Sequence, residues 1–327
     1  MKGQPLDNAE PTFHKGQDNR TNIPKRDGRL RSELTEHPST VNRPFTVAFM
    51  LSGRFPAQRA AAMASWKRSR STIITIGDSM TEYGSHVVTG PALEQPGMYG
   101  SDGEHGPGWV TLLARDYAWS RRADIINRGF GGYNTRFVLE DLMAREILPP
   151  DRMSVVAVTV LLGTNDHAKP GHLLHVPVDE YESNLARILD ILAIELPNAA
   201  TLLLTPPPVD ADTWRQHSLR TSGGVDDGGS LGNERLEPYV EACRRAARCQ
   251  TGSQLVDLHE GVRAASPENW PEFLWDGLHL TTKGNAVVHS LVSLGLAKSK
   301  CAPMDLPVHR PHWLSRGPVQ PQSRADT

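Results

Sequence analysis

Apolar positions follow two rhythms once the chain passes residue 70. Five short runs are almost continuously apolar or β-branched: Ser71 to Ile76, Ala123 to Asn127, Met153 to Leu162, Thr201 to Thr205 and Gln254 to Leu258. Runs of this length with turn-formers behind them read as buried strands. Gly77 closes the first, and Pro206, Pro207 and Pro208 stop the fourth. Between them the period lengthens to that of a helix. Trp109, Leu112 and Leu113 open one such stretch, and Leu185, Ile188, Leu189, Leu192 and Leu196 form a clean stripe. Asp179 with Glu182 three residues on predicts a capping box for that helix, and Pro197-Asn198 ends it. Leu236, Tyr239, Val240 and Cys243 mark another, and Lys283 to Leu296 the last.

Strands alternating with helices predict an α/β fold, a three-layer α/β/α sandwich around a five-stranded parallel sheet. The expected boundaries are a basic tail at 1–70, one folded domain at 71–298 and a Pro-rich tail at 299–327. Glu82 to Gly108, with seven glycines and three prolines, and Thr221 to Gly232 read as surface loops inserted into the domain.

Composition narrows the function. Residues 1–70 hold thirteen Lys/Arg against six Asp/Glu, while the whole chain carries a formal charge of −2, so the folded part is mildly acidic and offers no basic face to nucleic acid. No run of about 18 apolar residues predicts a membrane span. Cys243, Cys249 and Cys301 are odd in number and have no framework spacing, which reads as free thiols. The first forty residues do not open like a secretory signal. Residues 50–70 are Arg- and Ala-rich without an acid, so the cytosol is the default compartment and organellar import the alternative.

In parallel α/β sheets active sites lie beyond the carboxyl ends of the strands, and four stretches there carry chemistry. Asp78-Ser79 follows the first strand. Taken alone it reads first as a helix N-cap, and second as a hydroxyl exposed at the rim of the sheet. Asn127 to Thr135 follows the second and contains Gly129, Gly131 and Gly132; such a loop leaves N–H groups uncovered for an oxyanion, or is simply a tight turn. Gly163-Thr164-Asn165-Asp166 follows the third, where Asn165 is either a turn residue or an oxyanion donor. Asp276 and His279 lie three apart near the end, spaced so that the carboxylate can orient the imidazole. Each stretch alone has an ordinary structural reading; together they describe a nucleophile, a base and its oxyanion donors.

Two patterns are decoys. Gly228-Gly229-Ser230-Leu231-Gly232 fits a nucleophile elbow but has a Gly/Asp-rich loop where a strand belongs. Gly129-x-Gly131 lacks the third glycine of a dinucleotide fingerprint, with Asn134 in its place. Asp166, His167, His172 and His175 have no metal-ligand spacing and read as solvated loop residues, with His167 a candidate for the mouth of a pocket.

Gly77-Asp78-Ser79, Gly132, Gly163-x-Asn165-Asp166 and Asp276-x-x-His279 resemble the four blocks of the GDSL/SGNH hydrolases, a family of esterases and lipases with a flavodoxin-like sandwich. The wording of Asn127 to Thr135, Thr205 to Pro208, Tyr181 to Leu185 and Asp276 to Leu280 is most similar to the isoamyl acetate-hydrolysing esterase branch, from which the chain departs by its N-terminal tail and by the insertion after Ser79. The resemblance implies Ser79 as nucleophile, His279 as base, Asp276 as its orienter, and Ser79, Gly132 and Asn165 as the oxyanion hole. It implies a small-molecule ester as substrate, with no metal and no organic cofactor. A carbohydrate acetylesterase is the alternative activity, and a ligand-binding protein on the same fold the alternative class.

Overall fold

The computed structural model describes residues 70–88, 105–221, 232–250 and 252–309. The expected strands form, and two short strands and four helices that the apolar pattern does not mark accompany them. In chain order the elements are β1 Ser71–Gly77, α1 Ser79–Glu82, β2 His86–Val88, β3 His105–Pro107, α2 Trp109–Trp119, β4 Ala123–Gly129, α3 Thr135–Ala144, β5 Val155–Leu161, α4 Val178–Glu195, β6 Ala200–Leu204, α5 Ala211–Thr221, α6 Asn233–Cys249, β7 Ser253–Val256, α7 Leu258–Ala265 and α8 Thr282–Lys298.

The main sheet has five strands in the order β4-β1-β5-β6-β7, every pairing parallel. Strand side chains alternate between its faces, as a period of two demands. Ile74, Ile76, Val158, Val160 and Leu203 meet Val138, Leu185, Ile188 and Tyr239 on one face, against α3, α4 and α6. Ile73, Ala157, Leu161, Leu202 and Leu204 meet Trp109, Leu113, Val262, Val288 and Val292 on the other, against α2, α7 and α8. Helices on both sides explain why the strands read as unbroken apolar runs rather than alternating ones. The strand order reverses direction between β1 and β5, and a crevice at such a switch point is where ligands bind. Ser79 follows β1 and Asn165 follows β5, so the topology alone sets both at that crevice.

Three local expectations change. The long stripe is helical from Val178, and its N-cap is Pro177 rather than Asp179. Proline fixes φ at −55° there, its carbonyl accepts from Tyr181 N–H at 2.8 Å, and Asp179 and Glu180 fall in the first turn, where they favour the positive end of the helix dipole. The insertion after Ser79 is not all loop: β2 and β3 pair antiparallel at its base, while 89–104 lie outside the described residues. Nor does the fold end at residue 298. Cys301 and Leu306 are buried in the α2/α8 face, and Tyr117 Oη donates to the Cys301 carbonyl at 2.6 Å. Arg122 also bonds the Leu306 carbonyl. The three cysteines are free thiols, and Cys243 sits in the core. Among the described residues no helix is long and apolar enough to cross a membrane. The Arg/Ala-rich stretch at 50–69 and the elbow-like Ser230 lie outside the described residues.

Candidate active site

β1 delivers Asp78 and Ser79 to the rim of the sheet. Asp78 caps α1, its Oδ1 accepting from Met80 N–H at 2.9 Å. Ser79 is therefore the first helical residue, where the N–H has no intrahelical partner. So both readings of this pair hold at once: the aspartate is the cap, and the serine beside it is left with its hydroxyl at the crevice. Two long-range bonds hold this short helix. Trp109 Nε1 donates to the Met80 carbonyl at 3.0 Å, and Asn127 Nδ2 to the Thr81 carbonyl at 2.8 Å.

Asp276 and His279 come from a tight loop between Phe273 and Thr281. Leu274 bridges Leu280, and Trp275 N–H donates to the His279 carbonyl at 2.9 Å. Within the loop, Asp276 Oδ1 accepts from the backbone N–H groups of Leu278 at 2.8 Å and His279 at 2.6 Å. Its Oδ2 lies 2.6 Å from His279 Nδ1. The carboxylate accepts from Nδ1–H, which leaves the lone pair on Nε2, and Nε2 lies 2.9 Å from Ser79 Oγ. Asp276, His279 and Ser79 thus form one continuous hydrogen-bonded line. Burial by itself would raise the Asp276 pKa, but the hydrogen bond from His279, its charge and the two backbone N–H groups outweigh it and hold the carboxyl below its usual range.

Beside α1 lies the glycine loop that follows β4. Gly132 has φ of +77°, a conformation that favours glycine, and no hydrogen bond among the described residues engages its N–H. The loop is pinned on either side: Phe130 N–H donates to the Gly77 carbonyl at 3.0 Å, and Gly131 N–H to Glu82 Oε2 at 2.7 Å. Asn165, half-buried, donates one amide N–H to the Tyr133 carbonyl at 2.8 Å, which fixes the plane of the amide and leaves its second N–H.

Two residues read as solvated from the sequence are buried, and a further set was not singled out at all. Asp166 is buried, not solvated: its Oδ1 accepts from Thr135 N–H at 3.0 Å and Thr135 Oγ1 at 2.5 Å, tying the Asn165 loop to the start of α3. Burial pushes its pKa up to about 6. His167 is buried as well, packed edge-on against Tyr239 with Nδ1 3.1 Å from the Gly163 carbonyl, so it is no pocket-mouth residue. Its burial lowers its pKa to about 4. Among the described residues no group of His, Cys, Asp or Glu is arranged to hold a metal ion. The largest omission is aromatic: Tyr83, Trp214 and Trp275 surround the His279 ring. In the sequence these rings are scattered, and nothing in their spacing connects them.

The profile of the GDSL-like Lipase/Acylhydrolase family matches residues 75–287. A GDSL esterase/lipase of Arabidopsis thaliana is 33% identical over 252 residues, which cover 74% of this chain and 92% of that protein. A protein named isoamyl acetate-hydrolyzing esterase 1 homolog, from Mus musculus, is 34% identical over 187 residues, 54% of this chain and 70% of its own. The crystal structure of a lipase/acylhydrolase from Enterococcus faecalis shares the fold, with a TM-score of 0.51 at 18% identity over 74% of this chain and all (100%) of that one. The chain belongs to the GDSL-like lipase/acylhydrolase family and is a carboxylic ester hydrolase.

Proposed function

We propose that this hydrolase is a serine esterase for esters of small or medium acyl chains, acetates among them, and that it works through an acyl-enzyme on Ser79. The observation that carries the reading is the unbroken line from Asp276 Oδ2 through both nitrogens of His279 to Ser79 Oγ.

In this reaction Ser79 Oγ attacks the ester carbonyl while its proton passes to His279 Nε2. Asp276 stabilises the imidazolium that results and keeps the ring in place. The carbonyl oxygen becomes an oxyanion and is held by the N–H groups of Ser79 and Gly132 and the side-chain amide of Asn165. Collapse of the tetrahedral adduct breaks the bond to the alcohol, which leaves with the proton from Nε2. Water then repeats the sequence on the acyl-enzyme and releases the acid. Each oxyanion donor is worth about 100- to 1,000-fold in turnover. The acetate preference draws support from relatives named isoamyl acetate-hydrolyzing esterase homologs.

The test is hydrolysis of p-nitrophenyl acetate, butyrate and octanoate by the parent and by Ser79→Ala, with the parent also treated with a fluorophosphonate. Activity in the parent alone, falling with acyl length, together with a single phosphonyl adduct on Ser79, is the expected result. Equal rates in the two proteins, or an adduct elsewhere, would overturn it.

A further inference from the structure

Three aromatic side chains from three separate elements converge on the ring of His279. Tyr83, from the 3-10 turn that follows α1, has its ring centroid 5.0 Å from the imidazole. Trp275, from the base loop, stacks on it at 6.0 Å with 22° between the planes. Trp214, from α5, meets it edge-on at 6.1 Å. His217, one turn further along α5, stacks on Trp214 at 5.9 Å and stands edge-on to Trp275 at 5.3 Å, so the two tryptophans are braced against each other. None of the three rings around the imidazole is fully buried.

Their position decides which part of a substrate they meet. This step rests on the serine esterase reading above. His279 Nε2 must hand its proton to the departing alkoxide oxygen, so the alcohol half of the ester leaves alongside the imidazole. The acyl half stays on Ser79 Oγ. Rings packed around the imidazole therefore flank the alcohol, not the acyl chain. From this we infer that Tyr83, Trp214 and Trp275 form the leaving-group subsite, and that it selects esters of aromatic primary alcohols over aliphatic ones of equal size. An aromatic ring in the alcohol adds offset or edge-on contacts that a saturated ring of the same volume cannot make, and such contacts favour it by about 2- to 10-fold beyond buried area.

The experiment uses the full chain and acetates of benzyl alcohol, cyclohexylmethanol and ethanol, with kcat/KM for each ester normalised to its hydroxide-catalysed rate. The parent should prefer the benzyl over the cyclohexylmethyl ester by about 2- to 10-fold. Trp214→Ala should bring that ratio to about one, and Trp214→Phe, which keeps a ring on α5, should restore most of it. A parent that cleaves ethyl acetate without the benzyl preference, or a Trp214→Ala variant that loses all three esters in proportion, overturns the subsite and leaves the esterase intact. A loss in Trp214→Ala that instead grows along ethyl acetate, butyrate and octanoate puts the rings on the acyl side and overturns it as well. A folded parent that cleaves none of the esters removes the esterase reading, and the subsite with it.

Discussion

Glu82, the last residue of α1, accepts a hydrogen bond from the Gly131 N–H at 2.7 Å. The bond joins the helix that begins with Ser79 to the loop that carries Gly132, so the two residues proposed as nucleophile and oxyanion donor share one clamp. Both ends are exposed. Removing the carboxylate should therefore cost little stability and act on turnover through loop position. For Glu82→Ala we expect kcat to fall about 3- to 10-fold, the equivalent of roughly 1 kcal/mol, with KM little changed. Thermal melts beside steady-state kinetics would check this. A variant with parental kcat would show that the loop holds its place without the clamp.

The proposed mechanism has Ser79 and His279 acting on the same proton, so their losses should not add. Ser79→Ala and His279→Ala should each lower kcat on the order of 10⁴-fold or more, and the double variant should be no worse than the poorer single one. Ser79 is a small side chain at a helix start, so Ser79→Ala should melt within a few degrees of the parent. Kinetics of the four proteins on one ester complete the cycle; additive losses would show that the two residues serve different steps.

The strands were legible because burial on both faces forces continuous apolar runs, and the register of Ile73, Ile74 and Ile76 between two cores follows from that alone. The line Asp276–His279–Ser79 was legible for another reason: an Asp and a His three residues apart can share one side of a turn, and Ser79 directly follows a strand whose carboxyl end lies at the crevice. What escaped depends on approach rather than on pattern. Trp214 reaches His279 only because α5 docks on the base loop, and α5 has no buried residue to announce a packed face. The Pro-rich composition after Lys298 argues against a regular element but not against docking; Cys301 and Leu306 enter the core from an irregular chain. Asp166 reads as a solvated loop residue because the partner that donates to it, Thr135, is 31 positions away.

Asp78 gives a prediction in pH. It is fully buried, and burial, reinforced by the nearby charge of Asp166, pushes its pKa up to about 7 against the opposing effects of the Met80 N–H, His279 and the Thr164 side chain. The folded protein thus keeps a proton that the unfolded chain, with an ordinary carboxyl near 4, has released. This group's contribution to stability is full below about pH 4 and is lost as the pH rises to about 7. Asp78→Asn keeps an oxygen to accept from Met80 and cannot ionise. Relative to the parent, the variant should gain stability between pH 4 and pH 7, by on the order of a few kcal/mol, and the gain should level off above. Urea unfolding at a series of pH values reads the difference directly. A constant difference across that range would mean that Asp78 does not titrate there.

Gly277 lies in the loop that carries Asp276 and His279, against the start of α5. Its φ is +90°, and its carbonyl accepts from Asp210 N–H at 2.8 Å. A Cβ there would lie 2.3 Å from Trp214 N and 2.5 Å from the Asp210 carbonyl oxygen, both backbone atoms that cannot rotate away. Gly277→Ala therefore carries two costs: about 1–2 kcal/mol for the left-handed backbone and about 1–3 kcal/mol for overpacking. The only relief is to move α5 off the loop, which takes Trp214 from His279 and loosens the turn that aims Asp276. Stability should fall by roughly 2 kcal/mol or more, and kcat should fall with it at temperatures where the variant is still folded. Denaturant unfolding and kinetics well below the melting point separate the two effects. If kcat held while stability dropped, the base loop would keep its geometry without α5, and the docking of the helix would matter to the fold and not to the chemistry.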